Sequence, residues 1–271
     1  MKINKHFLEG SKIKYEDTPN HGGPFKDGDL DTIVLHYTGS PNVESAVRTL
    51  KNPKAAASAH LIIGRDGEIV QMAPFNIVTW HAGKSEYKNR VGFNQYSIGI
   101  EIVNAGPLTK SGNVYRAWFG TTYPPEEVIE ATHKNQTKPA FWHTYTDKQI
   151  EVVTDICELL ASTYDIKFIL GHDEIAPKRK MDPGPAFPID KIRDNILNSR
   201  RDQNEPELLP EVGRVMVDKL NIRSAPNENG SPIAQPLKKG AIVKLLEEQN
   251  GWYKVTTEVE GWVFGKYIGN Q

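Results

Sequence analysis

The chain is poor in the features that would make its class obvious. A single cysteine, Cys157, stands among 271 residues, so no internal disulfide forms and no thiolate zinc knuckle can be built. Charge of one sign is also missing, because 33 Lys and Arg side chains face 34 Asp and Glu. No broad field then favours nucleic acid or an anionic membrane surface, and nucleic acid is not expected as a partner. No apolar run approaches the length of a membrane span, so membrane insertion is not expected either. The opening MKINKHFLEGSKIKYED carries basic residues without the apolar core of a signal peptide. The expectation is cytoplasmic synthesis with no signal peptide. Repeats and low-complexity tracts are lacking as well. The length that remains suits one large domain or two smaller ones, with ample material for a core.

What is present divides near residue 200. Before it, β-like and helical runs alternate, which argues an α/β domain around one central mixed β-sheet flanked by helices. Asp31 to Tyr37 (DTIVLHY) is a short β-branched run that reads as a buried strand. Ala59 to Gly64 and Glu68 to Ala73 flank the turn Arg65-Asp66-Gly67 as a hairpin. Ser97 to Val103 (SIGIEIV) is another strand, with Ile98, Ile100 and Ile102 on one face and Glu101 on the other. Thr146-Asp147-Lys148-Gln149 has the form of a capping box opening a helix through Ile150, Val153, Cys157, Leu160 and Tyr164. Lys167 to Leu170 reads as a strand, and Ile189, Ile192 and Ile196 as a last amphipathic helix. Residues 105 to 145 read as a long irregular, aromatic loop near the site. The expected boundaries are residues 1–197 for the first domain, 198–211 for a linker, and 212–271 for a small all-β module.

Gly171 to Phe187 (GHDEIAPKRKMDPGPAF) gathers His172, Lys180 and Asp182 in a segment broken by Pro177, Pro183 and Pro185. Proline removes a backbone donor and fixes φ, so this segment reads as a shaped loop and not a regular helix. Among the eight histidines, His36 ends one apolar strand and His172 follows another. With Asp182 they form a His/His/Asp set that suits a zinc ion with an open position, where a bound water's pKa falls toward neutrality. Taken singly, His36 and His172 read equally well as strand-end histidines with hydrogen-bonded rings. Glu101 is a carboxylate in an otherwise apolar strand, costly unless paired or used. By period alone it reads as a glutamate facing solvent at a sheet edge, and the sharper reading is a general base. Lys180 can stabilise an oxyanion, with a solvated loop cation as the plainer reading. Lys178 and Arg179 are expected to be such cations.

The ordered motifs DTIVLHYT, SAHLIIGRDGEIVQMAP, WHAG, SIGIEI and GHDEIAPKRKMDPGPAF closely resemble the zinc-dependent N-acetylmuramoyl-L-alanine amidases. These are related to peptidoglycan recognition proteins and T7-type lysozymes. The resemblance covers roughly residues 20 to 197. It implies one zinc per chain on His36, His172 and Asp182, Glu101 activating the water, and Lys180 stabilising the transition state. The implied reaction is cleavage of the amide between N-acetylmuramic acid and L-alanine. His60 and His81 are read as shaping the sheet and groove, either standing behind the ligands or contacting substrate, and Trp80 and Asn104 as substrate-contacting, none of the four a ligand. Two departures matter. Ala59 stands before His60 where some relatives carry tyrosine, which puts more of the burden on Glu101. Asp182 places the chain in the branch using aspartate where others use cysteine.

LNIRSAP, GWYKV and GWVFGKYI in the last segment resemble a bacterial SH3 domain over residues 213 to 269. That implies wall binding through an aromatic groove, with Trp252, Tyr253, Trp262 and Tyr267 as candidates for groove or core. The expected partner is peptidoglycan or a muropeptide, the expected state a monomer, and the setting either wall or recycled wall fragments. The rival from another class is a non-catalytic peptidoglycan-binding receptor on the same fold. Such relatives lose a zinc ligand, and none is lost here.

Overall fold

The computed structural model describes residues 1–198, 212–227, 230–249, 251–256, 261–265 and 268–270. Contacts divide the chain into two compact units, Met1–Arg200 and Arg201–Gln271.

The first unit is built on strands β1 (Ile13–Tyr15), β2 (Thr32–Tyr37), β3 (Leu61–Ile63), β4 (Ile69–Gln71), β5 (Ser97–Ile102) and β6 (Phe168–Gly171). They form one six-stranded sheet in the order β6-β2-β5-β3-β4-β1. The strands β6, β2, β5 and β3 run parallel, β4 turns back on β3, and β1 joins β4 in parallel, so the sheet is mixed. Helices α1 (Val43–Leu50), α2 (Asp147–Thr163), α3 (His172–Ile175) and α4 (Ile189–Asn198) flank it.

Because side chains alternate across a strand, the sheet has two distinct faces. Ile33, Leu35, Leu61, Ile98, Ile100 and Ile102 lie on one, packed beneath Val153, Ile156 and Leu160 of α2 and Ile192 and Ile196 of α4. Burying one such side chain fully contributes about 1.5–3 kcal/mol, and this layer is where the unit's stability concentrates. The other face is covered in two separate patches. Val43, Ala46 and Leu50 of α1 pack on Ile62 and Val70, while Ala82, Phe93 and Ile175 pack on Val34 and Leu170. His36 and Glu101 emerge on this second face.

Local signals explain several elements. Gly67 takes a φ of +81° in the β3–β4 turn, a left-handed conformation that other residues adopt only with strain. Thr146 accepts from the Gln149 N–H and Gln149 reaches back to Thr146, completing the capping box at the start of α2.

Two expectations need correction, and one helix was not foreseen. Residues 105–145 are not a mainly irregular loop. They carry a five-stranded antiparallel sheet with Thr122–Tyr123, Val114–Arg116, Pro107–Ser111, Pro139–His143 and Val128–Thr132 side by side. Its small core sets Tyr115, Phe119, Tyr123 and Phe141 around Ala105, Leu108 and Ala117. With so few apolar positions and one face wet, no clean alternation shows in the sequence. The proline-rich loop begins with one helical turn, α3, which stops short of Pro177. Helix α1, capped by the Asn42 side chain on the Ser45 N–H, had no expectation at all.

The second unit is all-β among its described residues. Strands Gly261–Phe264, Trp252–Thr256, Ile242–Gln249, Val212–Val215 and Ile268–Asn270 form an antiparallel sheet in that order. Val215, Leu220, Ile222, Val243, Leu245, Val255 and Val263 fill its core, with Tyr253 packed against them. Trp252 and Trp262 are half-buried. Tyr267 and all of the expected linker except Asn198 lie outside the described residues.

Candidate metal centre

Strand β2 pairs with β5 in parallel register, His36 opposite Glu101. In a parallel pair, opposed residues share a face, so a histidine and a carboxylate sit one strand spacing apart, about 4.8 Å between backbones. From the next strand out, β6 runs into α3 and delivers His172, and the loop after α3 returns Asp182 to the same spot. His36 Nδ1 lies 2.8 Å from Asp182 Oδ2 and 2.9 Å from His172 Nδ1, and His172 Nδ1 lies 2.9 Å from Asp182 Oδ2. All three side chains are buried.

Which ring atoms carry protons follows from two backbone carbonyls. A carbonyl only accepts, so His81 Nε2, 3.2 Å from Ser97 O, is the protonated nitrogen of its ring. His81 Nδ1 must then accept, and it takes the proton of His36 Nε2 at 3.0 Å. Likewise His172 Nε2 donates to Ala82 O at 3.0 Å. Burial, with a smaller contribution from the neighbouring His172, pushes His36 down to about 4, and burial takes His81 well below its ordinary value. Both rings are therefore neutral near pH 7. With Nε2 engaged in both rings, the Nδ1 atoms of His36 and His172 are the ones turned toward the Asp182 carboxylate oxygen. Two ring nitrogens and a carboxylate oxygen, none more than 2.9 Å from another, form one cluster that could hold a metal ion. The donor set of two imidazoles and a carboxylate fits zinc, and three ligands are the number found in catalytic zinc sites.

Glu101 does not face solvent at an edge. Its strand is central, between β2 and β3, and Oε2 is buried without a hydrogen-bond partner. Period located its face correctly but not what covers that face. Burial, helped by the nearby Asp182 charge and opposed by Lys180, raises the Glu101 carboxyl to about 8. Lys180 is half-buried and lines the same cleft, which has a volume of about 400 Å³. The cleft is also lined by Tyr37, Trp80, His81 and Arg179. The Trp80 indole is 37% exposed at this opening, a place from which it can touch a ligand.

Two of the residues expected to contact substrate are spent on the fold. His60 is fully buried, with Nε2 donating to Ile77 O at 2.8 Å and Nδ1 accepting from Gly99 N and Thr79 Oγ1 at 3.0 Å. Asn104, also buried, donates from Nδ2 to His143 O and Thr144 O and accepts the Gly106 N–H. Neither has a polar atom left for a ligand. Arg179 is not a free loop cation, because its Nη2 donates to Ala82 O at 3.0 Å and Lys84 O at 2.9 Å. For His81 the sequence reading left open a place behind the ligands or against substrate, and it did not point to His36 as the ring it orients. The one local hint is Gly99, on the Glu101 face of β5.

A Cβ at Gly99 would fall 2.4 Å from His81 Cγ. Gly99→Ala is thus expected to displace the His81 ring and free the His36 tautomer, weakening zinc binding by about 10–100-fold, as removal of a ligand's hydrogen-bond partner does. Calorimetric titration of the metal-free protein checks this, and wild-type affinity in the variant would remove His81 from the account.

A family model described as N-acetylmuramoyl-L-alanine amidase matches residues 26–185, and a bacterial SH3 domain model matches residues 218–269. The chain is 36% identical over 181 residues to the 1,6-anhydro-N-acetylmuramyl-L-alanine amidase AmpD of Escherichia coli (strain K12), covering 66% of this chain and 75% of that one. To the N-acetylmuramoyl-L-alanine amidase AmiD of the same strain it is 29% identical over 172 residues, 60% of this chain and 52% of that one. Among solved structures, a selenomethionine AmpD derivative superposes with a TM-score of 0.50 at 26% identity, covering 71% of this chain and 97% of that one.

Proposed function

Since the chain belongs to the N-acetylmuramoyl-L-alanine amidase family, we propose that it hydrolyses the amide between N-acetylmuramic acid and L-alanine in peptidoglycan or muropeptides, with zinc held by His36, His172 and Asp182. The observation that carries this reading is the convergence of three acceptor atoms beside a carboxyl raised to about 8. Zinc in such a site supplies Lewis acidity, polarising a carbonyl and easing proton loss from water.

The chain's own residues do the rest. Glu101 takes a proton from the attacking water as its oxygen bonds to the lactyl carbonyl carbon. A carboxyl poised near the working pH can hold that proton and then give it up. It passes to the alanine nitrogen as the carbon–nitrogen bond breaks, leaving a lactyl carboxylate and a free amino terminus. Lys180, close enough to act on the Glu101 charge, stabilises the negative charge that develops on the carbonyl oxygen. Trp80 offers an apolar surface to the sugar or stem at the cleft mouth, and the second unit holds the enzyme on wall polymer. A receptor reading calls for a missing ligand, and the three donors here argue against it.

The test is digestion of intact sacculi and of soluble muropeptides, the latter with either an ordinary or a 1,6-anhydro sugar. New N-terminal alanine is the product to measure. Chelation is expected to abolish its release and added zinc to restore it. Undiminished cleavage by metal-free protein would sink the zinc mechanism, and binding of muropeptide without any cleavage would favour the receptor.

A further inference from the structure

We infer that the 133–136 turn of the inserted sheet is a positioning clamp for the metal loop, with His133 acting through Asp173 to fix where His172 and Asp182 present their donor atoms. The inference rests on the metal-site reading above.

His133 follows strand Val128–Thr132, is 1% exposed, and stacks on Trp142 at 5.7 Å between ring centres. Its Nδ1 accepts the Asn135 N–H at 3.1 Å, so the proton sits on Nε2, which donates to Asp173 Oδ2 at 2.9 Å. Asp173 is itself 1% exposed. It is tied to both ligands of the loop, by the peptide bond to His172 and by its N–H, which donates to Asp182 O at 2.8 Å. The placement of Asp173 therefore sets the spacing of the two ligands. Its carboxylate folds back over Gly171, where a Cβ would fall 2.4 Å from Oδ1.

The residues after His133 grip the same loop. Asn135 Nδ2 donates to Asp173 O at 2.9 Å, and Gln136 Nε2 approaches Met181 Sδ at 3.0 Å. Lys134 Nζ stands 3.4 Å from both Asp173 Oδ1 and Glu174 Oε1. Burying a carboxylate is costly even when it is paired. An apolar pair would fill this space at lower cost, but it would not direct hydrogen bonds onto the residues beside the ligands. Such outer contacts are how proteins orient metal ligands.

The test is zinc affinity of the metal-free protein, read by competition with a chromogenic chelator, together with its melting temperature without metal. His133→Ala is expected to weaken zinc binding by about 10–100-fold. His133→Gln, whose amide nitrogen can still donate to Asp173, should recover most of that loss. If His133→Ala does not fold, a double variant decides, Asn135→Ala with Gln136→Ala, both at exposed positions. It should bind zinc more weakly while the metal-free melting temperature stays put. Unchanged affinity in the variants that fold, even with a lowered melting temperature, overturns the clamp and leaves a structural contact. Wild-type protein that takes up no zinc overturns the site reading instead.

Discussion

Glu101→Gln is expected to lower kcat for amide cleavage by roughly 10²–10⁴-fold, the usual worth of a positioned general acid–base group, with zinc affinity and KM nearly unchanged. The substitution keeps the shape of the side chain and removes only its capacity to carry a proton. Because the same carboxyl is asked to act twice, the upper part of that range is the expected result. A second readout isolates the cause. In the metal-free protein the carboxyl lies at about 8, against an ordinary value of 4.5. Between those values the folded state holds a proton that the unfolded chain has lost, so stability is fully present below about 4.5 and falls as pH rises toward 8. The slope is about 1.4 kcal/mol per pH unit while it lasts. Denaturant titrations of wild type and Glu101→Gln in parallel should show this decline as the difference between the two, because buried His36 and His81 titrate with the opposite sign below about 6.5 in both proteins. A variant that keeps wild-type kcat would remove Glu101 from the chemistry.

Zinc should also stabilise the fold through its three ligands. A ligand that binds only the native state adds about 4.1 kcal/mol at a thousand times its Kd. For a unit of this size each kcal/mol moves Tm by about 2–4 °C, so a rise of roughly 10 °C is expected on adding zinc. Asp182→Asn preserves volume and removes the anionic donor, leaving two neutral imidazoles. The zinc-dependent rise should vanish in that variant, and amide cleavage with it. A thermal scan with and without metal decides. The same zinc-induced rise in Asp182→Asn would place the metal elsewhere.

The parts legible in the sequence are those written locally. The strand DTIVLHY, the hairpin at Arg65-Asp66-Gly67 and the capping box at Thr146 each depend on neighbours in the chain, and the structure has β2, the β3–β4 turn and the start of α2 there. The set His36, His172 and Asp182 could be drawn together because two of them end or follow a recognisable strand and the third stands in the proline-broken loop that His172 opens. The strands within 107–143 could not, since their packing rests on aromatic residues scattered among polar ones. Periodicity put Glu101 on the right face but carries no information on which layer covers that face, and so pointed to solvent. His60 and Asn104 show the reverse failure. Substrate contact was one reading of His60 and the reading of Asn104, yet each is used up by backbone groups far away in sequence, such as Ile77 O and His143 O. The pairing of His81 with His36 spans 45 residues, beyond the reach of any local pattern.

The protonation form of the metal centre is decided by Ser97 O and Ala82 O, and neither belongs to a side chain. Substitution deletes neither carbonyl, and at position 97 it removes only the Oγ that also lies 3.2 Å from His81 Nε2, so a saturation scan would miss what these two carbonyls do. This part of the setting survives side-chain replacement at the two positions themselves and yields to changes that bend the main chain or, like Gly99→Ala, displace a ring. Backbone ester replacement at these two peptides, which weakens each carbonyl as an acceptor, is the perturbation that reads their contribution directly.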